Sequence, residues 1–310
     1  MGSQATPAEK YIIIQQMTLR DNNILNITWL CNYAGVSRSG YYRWLTAAPA
    51  RVVQDEQDRK DFEVILAAYK FRGYDKGVRG IYMRLLHQGI RMNRKKISRL
   101  MKKFGLKCPI RKANPYRRMA KALKTSNIAD NLVNREFEAH GPRAILLTDI
   151  TYMLYRNSQK AYLSTILDAC TKQVLAYAVS DSLEVDFVLE TVNRLIQEHG
   201  VSLNKKTIIH SDQGSHYTSI SFQDLLKDKE LRQSMSRRGN CWDNAPQESF
   251  FGHMKDEIYL DGCNTFEELS SIIDDYMDYH NNDRYQWDLA KLSPNQYYEY
   301  LRTGNSPIHL

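Results

Sequence analysis

The chain of 310 residues reads as an α/β protein: a mixed five-stranded sheet with helices, preceded by all-α segments. Three observations predict this. Helical periodicity with Gly and Asn punctuation fills residues 11–105. Beyond residue 140, short aliphatic and β-branched runs alternate with amphipathic stretches. Between these parts lies a strongly basic stretch with no acid. The length suits two or three units rather than one core, and 43% hydrophobic residues is enough for a globular protein. No apolar run approaches a membrane span and no secretory pattern is present. The five dispersed cysteines form no CxxC, which fits reduced thiols in a cytoplasmic protein. The eight histidines make no zinc pattern either.

Residues 11–45 divide into short helices. ITWLCNYAGVSRSGYYRWL places an apolar-periodic helix before Gly35 at a tight turn. Ser37 then caps a segment presenting Arg38, Tyr41, Tyr42 and Arg43. This is helix-turn-helix punctuation, which serves DNA binding or a purely structural three-helix module equally well. Three further helices follow in DRKDFEVILAAYK, GVRGIYMRLLHQG and NRKKISRLMKKFG, the last with Asn93 as cap and Gly105 as stop.

Between Asp75 and Asp130 there are seventeen Lys and Arg and no acid, so a chain of net charge +8 carries −9 elsewhere. A solvated helix face would intersperse acids; a block this dense predicts a polyanion footprint. Arg94, Lys95, Lys96, Arg99 and Lys102 occupy the helix where a recognition element would meet a groove. KCPIRKANPYRRMAKALKTSN, with Arg111, Lys112, Arg117 and Arg118, reads as an extended basic linker along DNA phosphates.

In the second part, AILLTDITYM, AYLSTILDAC and QVLAYAVS are three strands. EVDFVLETVNRLIQEHG is a helix, TIIHSD a strand, SISFQDLLKDK a helix and LRQSMS a fifth strand before a last helix. That is the element order of a ribonuclease-H-like fold. Asp149 follows an apolar run, where an acid is costly unless paired or metal-bound. Asp212 ends TIIHSD before the turn at Gly214. Glu248 opens the last helix, for which Asn244 is the expected N-cap, with Gln247 as capping-box partner and Pro246 in the first turn. Phe250, Phe251, Met254 and Ile258 form the apolar arc of that helix, with Glu248, Gly252 and Lys255 as a stripe beside it. Three converging acids would raise one another's pKa, and two Mg²⁺ or Mn²⁺ ions would remove that penalty and serve phosphoryl transfer. Asp168 reads as a structural strand-end acid. His210 and His216 flank Asp212, as hydrogen-bonded turn residues, as DNA contacts or as groups orienting a ligand. Arg237, Arg238, Asn240 and Trp242 form a loop before the last helix that holds DNA or cages a structural Trp.

Thirty-five residues separate Asp212 from Glu248, and a Lys stands seven beyond the Glu. With HSDQGSHYTS, DNAPQESFFGHMKDE and YHNNDRYQWDLAKLSPNQYY, this resembles the retroviral-integrase-like transposases. Within them it resembles the bacterial insertion-sequence branch, the IS-three family, second-frame product. The resemblance runs from about Trp29 to Tyr298. Many relatives carry Pro-His after Arg284, where this chain has Tyr285 and Gln286.

The resemblance implies the ribonuclease-H-like fold, with Asp149, Asp212 and Glu248 as catalytic ligands of two Mg²⁺ or Mn²⁺ ions and Lys255 on the terminal phosphate or bases. It implies double-stranded DNA as substrate (terminal inverted repeats and target) and a copy-out, paste-in route. It also implies a homo-oligomer, at least a dimer, and an upstream-frame DNA-binding protein as candidate partner. The expected layout is an N-terminal helix-turn-helix over 1–50, a second helical DNA-binding domain over 51–112, a basic linker over 113–135, a catalytic core over 136–262 and a helical tail over 263–310. A cytoplasmic, nucleoid-associated location follows. Two rivals are a non-catalytic DNA-binding regulator and a structure-selective nuclease on the same fold.

Overall fold

The computed structural model describes residues 5–21, 24–74, 76–109, 129–133, 137, 140–156, 158–237 and 241–308, with backbone alone at 241 and 242. The chain divides into two compact units, 1–66 and 67–310.

In the first unit, α1 (Pro7–Thr18) opens with a capping box between Thr6 and Glu9. Helix α2 (Ile27–Ala34) ends at Gly35 in the left-handed region, φ 64°. Helix α3 (Arg38–Thr46) starts where the Ser37 hydroxyl accepts the Gly40 N–H at 3.0 Å. Ile14, Leu30, Cys31 and Tyr41 form the core of this three-helix cluster. Helix α4 runs from Ala48 to Lys70, ten residues longer at its start than periodicity from Asp58 suggests. Nothing after Pro49 breaks it, and Gln54–Asp58 and Gln57–Asp61 pairs support its early turns.

The second unit takes in the last turn of α4, then a 3₁₀ turn at Phe71–Gly73, followed by α5 (Val78–His87) and α6 (Arg94–Lys103). Ile81, Met83 and Leu85 are buried on α5, and Ile97, Leu100 and Met101 on α6. The sheet has strands β1 (Ile145–Tyr155), β2 (Gln159–Asp168), β3 (Val174–Ser180), β4 (Ile208–Ser211) and β5 (Arg232–Met235). Their order is β3-β2-β1-β4-β5; β1–β2 and β2–β3 are antiparallel, β1–β4 and β4–β5 parallel. This is the predicted mixed five-stranded sheet.

Strand alternation sorts its residues between two cores. Leu146, Ile166 and Ile209 pack with α7 (Asp186–His199) and α8 (Ile220–Asp228) through Phe187, Val192, Phe222 and Leu226. Ile145, Leu147 and Met153 pack on the opposite face with α9 (Ala245–Glu257) and α10 (Phe266–Asn282). Helix α11 (Pro294–Thr303) closes the chain.

Helix α10 also anchors the segment around α5. Arg72 bonds Asp275 and Asp278 at 2.6 Å each and Asp283 at 3.0 Å. Tyr74 donates to Asp275 at 2.6 Å and stacks on Tyr279. The acids at 275 and 278 thus hold an arginine, and Asp274 accepts from Tyr177 at 2.7 Å. Two cations of the basic block are structural rather than part of a polyanion footprint. Buried Lys76 donates to the Phe71, Tyr74 and Tyr69 carbonyls, and buried Arg84 bonds Asp283 and its carbonyl.

Candidate active site

Asp149 shares the strand parity of Ile145 and Leu147, so it belongs to the sheet face that α9 covers. Its Oδ1 accepts the Ile150 N–H at 2.8 Å. Its pKa is pushed up to about 8, first by burial and then by the negative charge of Asp212, with Glu248 adding to it; the Ile150 N–H and Lys255 act the other way. Asp149 therefore senses both other acids of the set and the lysine.

Asp212 is brought level with it by register. Leu147 pairs with His210 in the parallel β1–β4 ladder, and each acid lies two residues further on. The Gly214 N–H donates to Asp212 Oδ1 at 2.8 Å. A Cβ at position 214 would stand 2.9 Å from that oxygen, so glycine leaves room for the carboxylate. Asp212 is exposed by surface area, yet the protein around its carboxyl desolvates it enough to raise its pKa, opposed by the Gly214 N–H and His216.

Glu248 lies in the first turn of α9, exposed, where the helix dipole favours a carboxylate. Phe250, Phe251 and Met254 seat the helix in the core it shares with β1. Two turns on, the exposed Lys255 places its Nζ 4.9 Å from the ring centre of Tyr152, and Lys160 places its own 5.8 Å away. Tyr152 is 54% exposed, so its ring presents two ammonium groups at the surface of β1.

The expected capping box at Asn244 is absent. Asn244 makes no side-chain cap bond, and the fully buried Gln247 donates through Nε2 to Thr165 Oγ1 instead. Thr165 is the cross-strand partner of Asp149. One hydrogen bond therefore ties the residue before Glu248 to the residue opposite Asp149. The signal was present in the sequence: residues 247, 250, 251 and 254 share one arc, and a Gln among three apolar residues there points inward.

The loop before α9 is held by buried Asp243. It accepts from Arg237 Nε at 2.9 Å, Nη2 at 2.8 Å and backbone N–H at 3.0 Å, and from Asn131 at 3.1 Å. Arg237 is thus engaged in placing the loop. Arg238 and Asn240 lie outside the described residues, as does the Trp242 side chain. His210 is fully buried between the Ser234 and Ser236 hydroxyls, at 2.9 and 3.2 Å, and burial lowers its pKa to about 4. It is a neutral structural residue. His216 bonds the Leu183 carbonyl at 3.0 Å. Asp168 is structural as expected, binding the Arg143 N–H at 3.0 Å and guanidinium at 2.9 Å.

The basic candidates fall on three segments. Arg38 and Arg43 are exposed on α3, Arg38 lying over Tyr42. On α6, Arg94, Lys95, Arg99 and Lys102 are exposed and Lys96 half-buried. Arg111, Lys112, Arg117 and Arg118 lie outside the described residues.

The three candidate ligands, Asp149, Asp212 and Glu248, are carboxylates, whose oxygens suit Mg²⁺ or Mn²⁺. A half-buried carboxyl that ionises reluctantly under the charge of two other acids is relieved by a cation. As they stand, no three acidic, His or Cys side chains among the described residues lie close enough together to hold a metal ion.

Family models match three stretches of the chain. An integrase core domain model matches residues 139–241, a second integrase core domain model matches 248–300, and an HTH-like domain model matches 56–114. An uncharacterized transposase-like protein of Haemophilus influenzae is 38% identical over 68% of this chain and 95% of its own length. The putative transposase InsK for insertion sequence element IS150 of Escherichia coli is 33% identical over 71% of this chain and 76% of its own. The transposase InsF for insertion sequence IS3A, also of Escherichia coli, is 29% identical over 93% of this chain and 98% of its own. With an integrase core, an HTH-like domain and relatives of this extent, the chain belongs to the IS3 family of insertion-sequence transposases.

Proposed function

We propose that this chain cleaves DNA strands at the terminal inverted repeats of a bacterial insertion sequence and transfers the resulting 3′-OH to target DNA, in a reaction that needs a divalent metal. The observation that supports this most is the setting of Asp149. Its half-buried carboxyl lies level with Asp212, and Asp212 and Glu248 both disfavour its ionisation.

Asp149, Asp212 and Glu248 would hold two Mg²⁺ or Mn²⁺ ions per active site. Bound ions supply charge neutralisation at the attacking and leaving oxygens of an in-line phosphoryl transfer. The chain's own side chains do the rest. Lys255, beside Tyr152, holds the terminal phosphate or bases of the element end. Gln247 fixes the rotation of Glu248 relative to β1. Arg38, Arg43 and the exposed cations of α6 grip the duplex, and the basic segment 113–135 links them to the core. Two ends must be processed together, so the working form is at least a dimer. An upstream-frame DNA-binding protein is a candidate partner, and the nucleoid is the expected location.

The test is an assay with end-containing duplex, target DNA and Mg²⁺. Wild-type protein nicks the ends and joins them; Asp149→Asn, Asp212→Asn and Glu248→Gln each lose both activities while still binding DNA. Full joining by any of the three variants overturns the assignment. Nicking without joining identifies a nuclease, and binding without metal-dependent nicking identifies a regulator.

A further inference from the structure

Of the groups around Trp287, only Arg94 has been given a role so far. The indole is 37% exposed. Three cations from three separate segments stand over its ring: the Arg79 guanidinium at 5.8 Å, that of Arg94 at 5.0 Å, and Lys291 Nζ at 5.3 Å. Arg79 comes from α5, Arg94 is the first residue of α6, and Lys291 follows the tryptophan in the C-terminal segment. Among the described residues none of the three is paired with a carboxylate. The exposed acid Asp288 adjoins the ring in sequence, one negative charge against three positive.

The patch is built rather than incidental. Ala290 and Lys291 both adopt left-handed backbone, φ 52° and 65°, which non-glycine residues rarely hold unless their surroundings impose it. Buried Leu289 and Leu292 pin the turn, closed by Leu292 N–H to the Leu289 carbonyl at 2.9 Å. His87, at the end of α5, bonds the Lys291 carbonyl at 2.9 Å and stacks flat on Tyr285, with centroids 3.7 Å apart. The fold thus holds Lys291 in a strained turn that directs a third cation to a ring already flanked by two.

The ring attracts each cation, but three positive charges gathered at one ring, with a single acid beside them in sequence, still repel one another. Beside Arg94 the first turn of α6 adds Lys95 and Lys96 with no acid, against the positive end of the helix dipole. A polyanion removes both penalties. We propose that Arg79, Arg94, Lys291 and Trp287 form one phosphate-binding platform for double-stranded DNA, in which the C-terminal segment completes the surface begun by α6. The cations neutralise backbone phosphates, and the indole orients them through its π face while packing against the sugars. This rests on the reading of the chain as a DNA-acting transposase and extends it to a segment outside the catalytic helix.

The experiment measures binding of the full chain to end-containing duplex across a salt series, with EDTA present. Each phosphate contact removed lowers the slope of log affinity against log salt by about 0.9. Arg79→Gln and Lys291→Ala are each expected to reduce the slope by about 1, and the double variant by about 2. Per lost contact, affinity then falls about 3.5-fold less between about 50 and about 200 mM salt. The same loss is expected on a scrambled duplex, because phosphates carry no sequence. Trp287→Ala weakens binding and Trp287→Phe restores most of it. Lys229→Ala, an exposed cation elsewhere, leaves the slope alone. Unchanged slopes in variants whose circular dichroism and melting match wild type overturn the proposal. So does a slope change equalled by Lys229→Ala, or one seen with single-stranded DNA and not duplex. Metal-free binding is independent of catalysis: a chain that shows these slopes but never joins ends sinks the catalytic reading alone, and one that joins ends with unchanged slopes sinks this platform alone.

Discussion

Replacing Gln247 separates what positions Glu248 from what merely stabilises α9. Gln247 and Thr165 are both fully buried, and the Gln247 Nε2 bond is the contact found for the Thr165 hydroxyl. Gln247→Leu leaves that hydroxyl without its partner, at a cost of about 1–3 kcal/mol. The wild-type Gln247 Oε1 is itself buried without a partner among the described residues, so its loss offsets part of this. A net destabilisation near 1 kcal/mol is expected. Thr165→Val should cost a similar amount. Removing both polar partners is nearly neutral in such pairs, so the double variant should melt closer to wild type than either single one. Strand joining should behave differently. If the bond sets the rotation of Glu248 toward Asp149, both singles and the double lose it alike, by tenfold or more for a displacement of about 1 Å. The assay is a double-mutant cycle read once by thermal melting and once by single-turnover joining. A double variant that regains joining together with stability would refute the positioning role.

Other consequences follow. Gly214→Ala brings a Cβ within 2.9 Å of Asp212 Oδ1; joining should fall sharply while metal-free DNA binding is retained. Arg284 binds buried Glu257 at 2.7 and 2.9 Å, and Glu257 also accepts from Tyr276 on α10. Arg284→Ala should therefore cost about 3–5 kcal/mol by leaving a buried carboxylate unpaired, seen as a lower denaturation midpoint. His280 is buried, with its Nε2 2.9 Å from the Lys172 carbonyl, and burial lowers its pKa to about 3. The unfolded chain takes up this proton near pH 6.5 and the folded chain does not. The stability this group contributes is thus full above that pH and is lost as pH falls toward 3. His280→Gln should flatten the acid limb of the stability profile.

The strands and the three acids were legible because they are local signals: β-branched runs, a helical arc, and turns at Gly35 and Gly214. An acid after an apolar strand pointed to Asp149, and spacing to Asp212 and Glu248; parity and register bring Asp149 and Asp212 to one sheet face, while Glu248 stands on α9. What stayed hidden depends on partners far along the chain. Gln247 looked like half of a capping box because Asn244 precedes it by three, yet its partner is 82 residues away. Arg237 looked like a free loop cation, and only the fold reveals buried Asp243 beneath it. The basic block looked uniform, but Lys76 and Arg84 are turned inward by carbonyls and by an acid 199 residues distant. The platform at Trp287 joins segments more than 190 residues apart, as does the grip of α10 on Arg72. No periodicity reports such contacts.

The most direct measurement is Mn²⁺ binding followed by electron paramagnetic resonance, on the wild-type protein and on Asp149→Asn, Asp212→Asn and Glu248→Gln, with end DNA present. The wild type should take up about two ions per chain, and each variant should lose at least one. Uptake that is the same in all four proteins would contradict a divalent site built from these carboxylates.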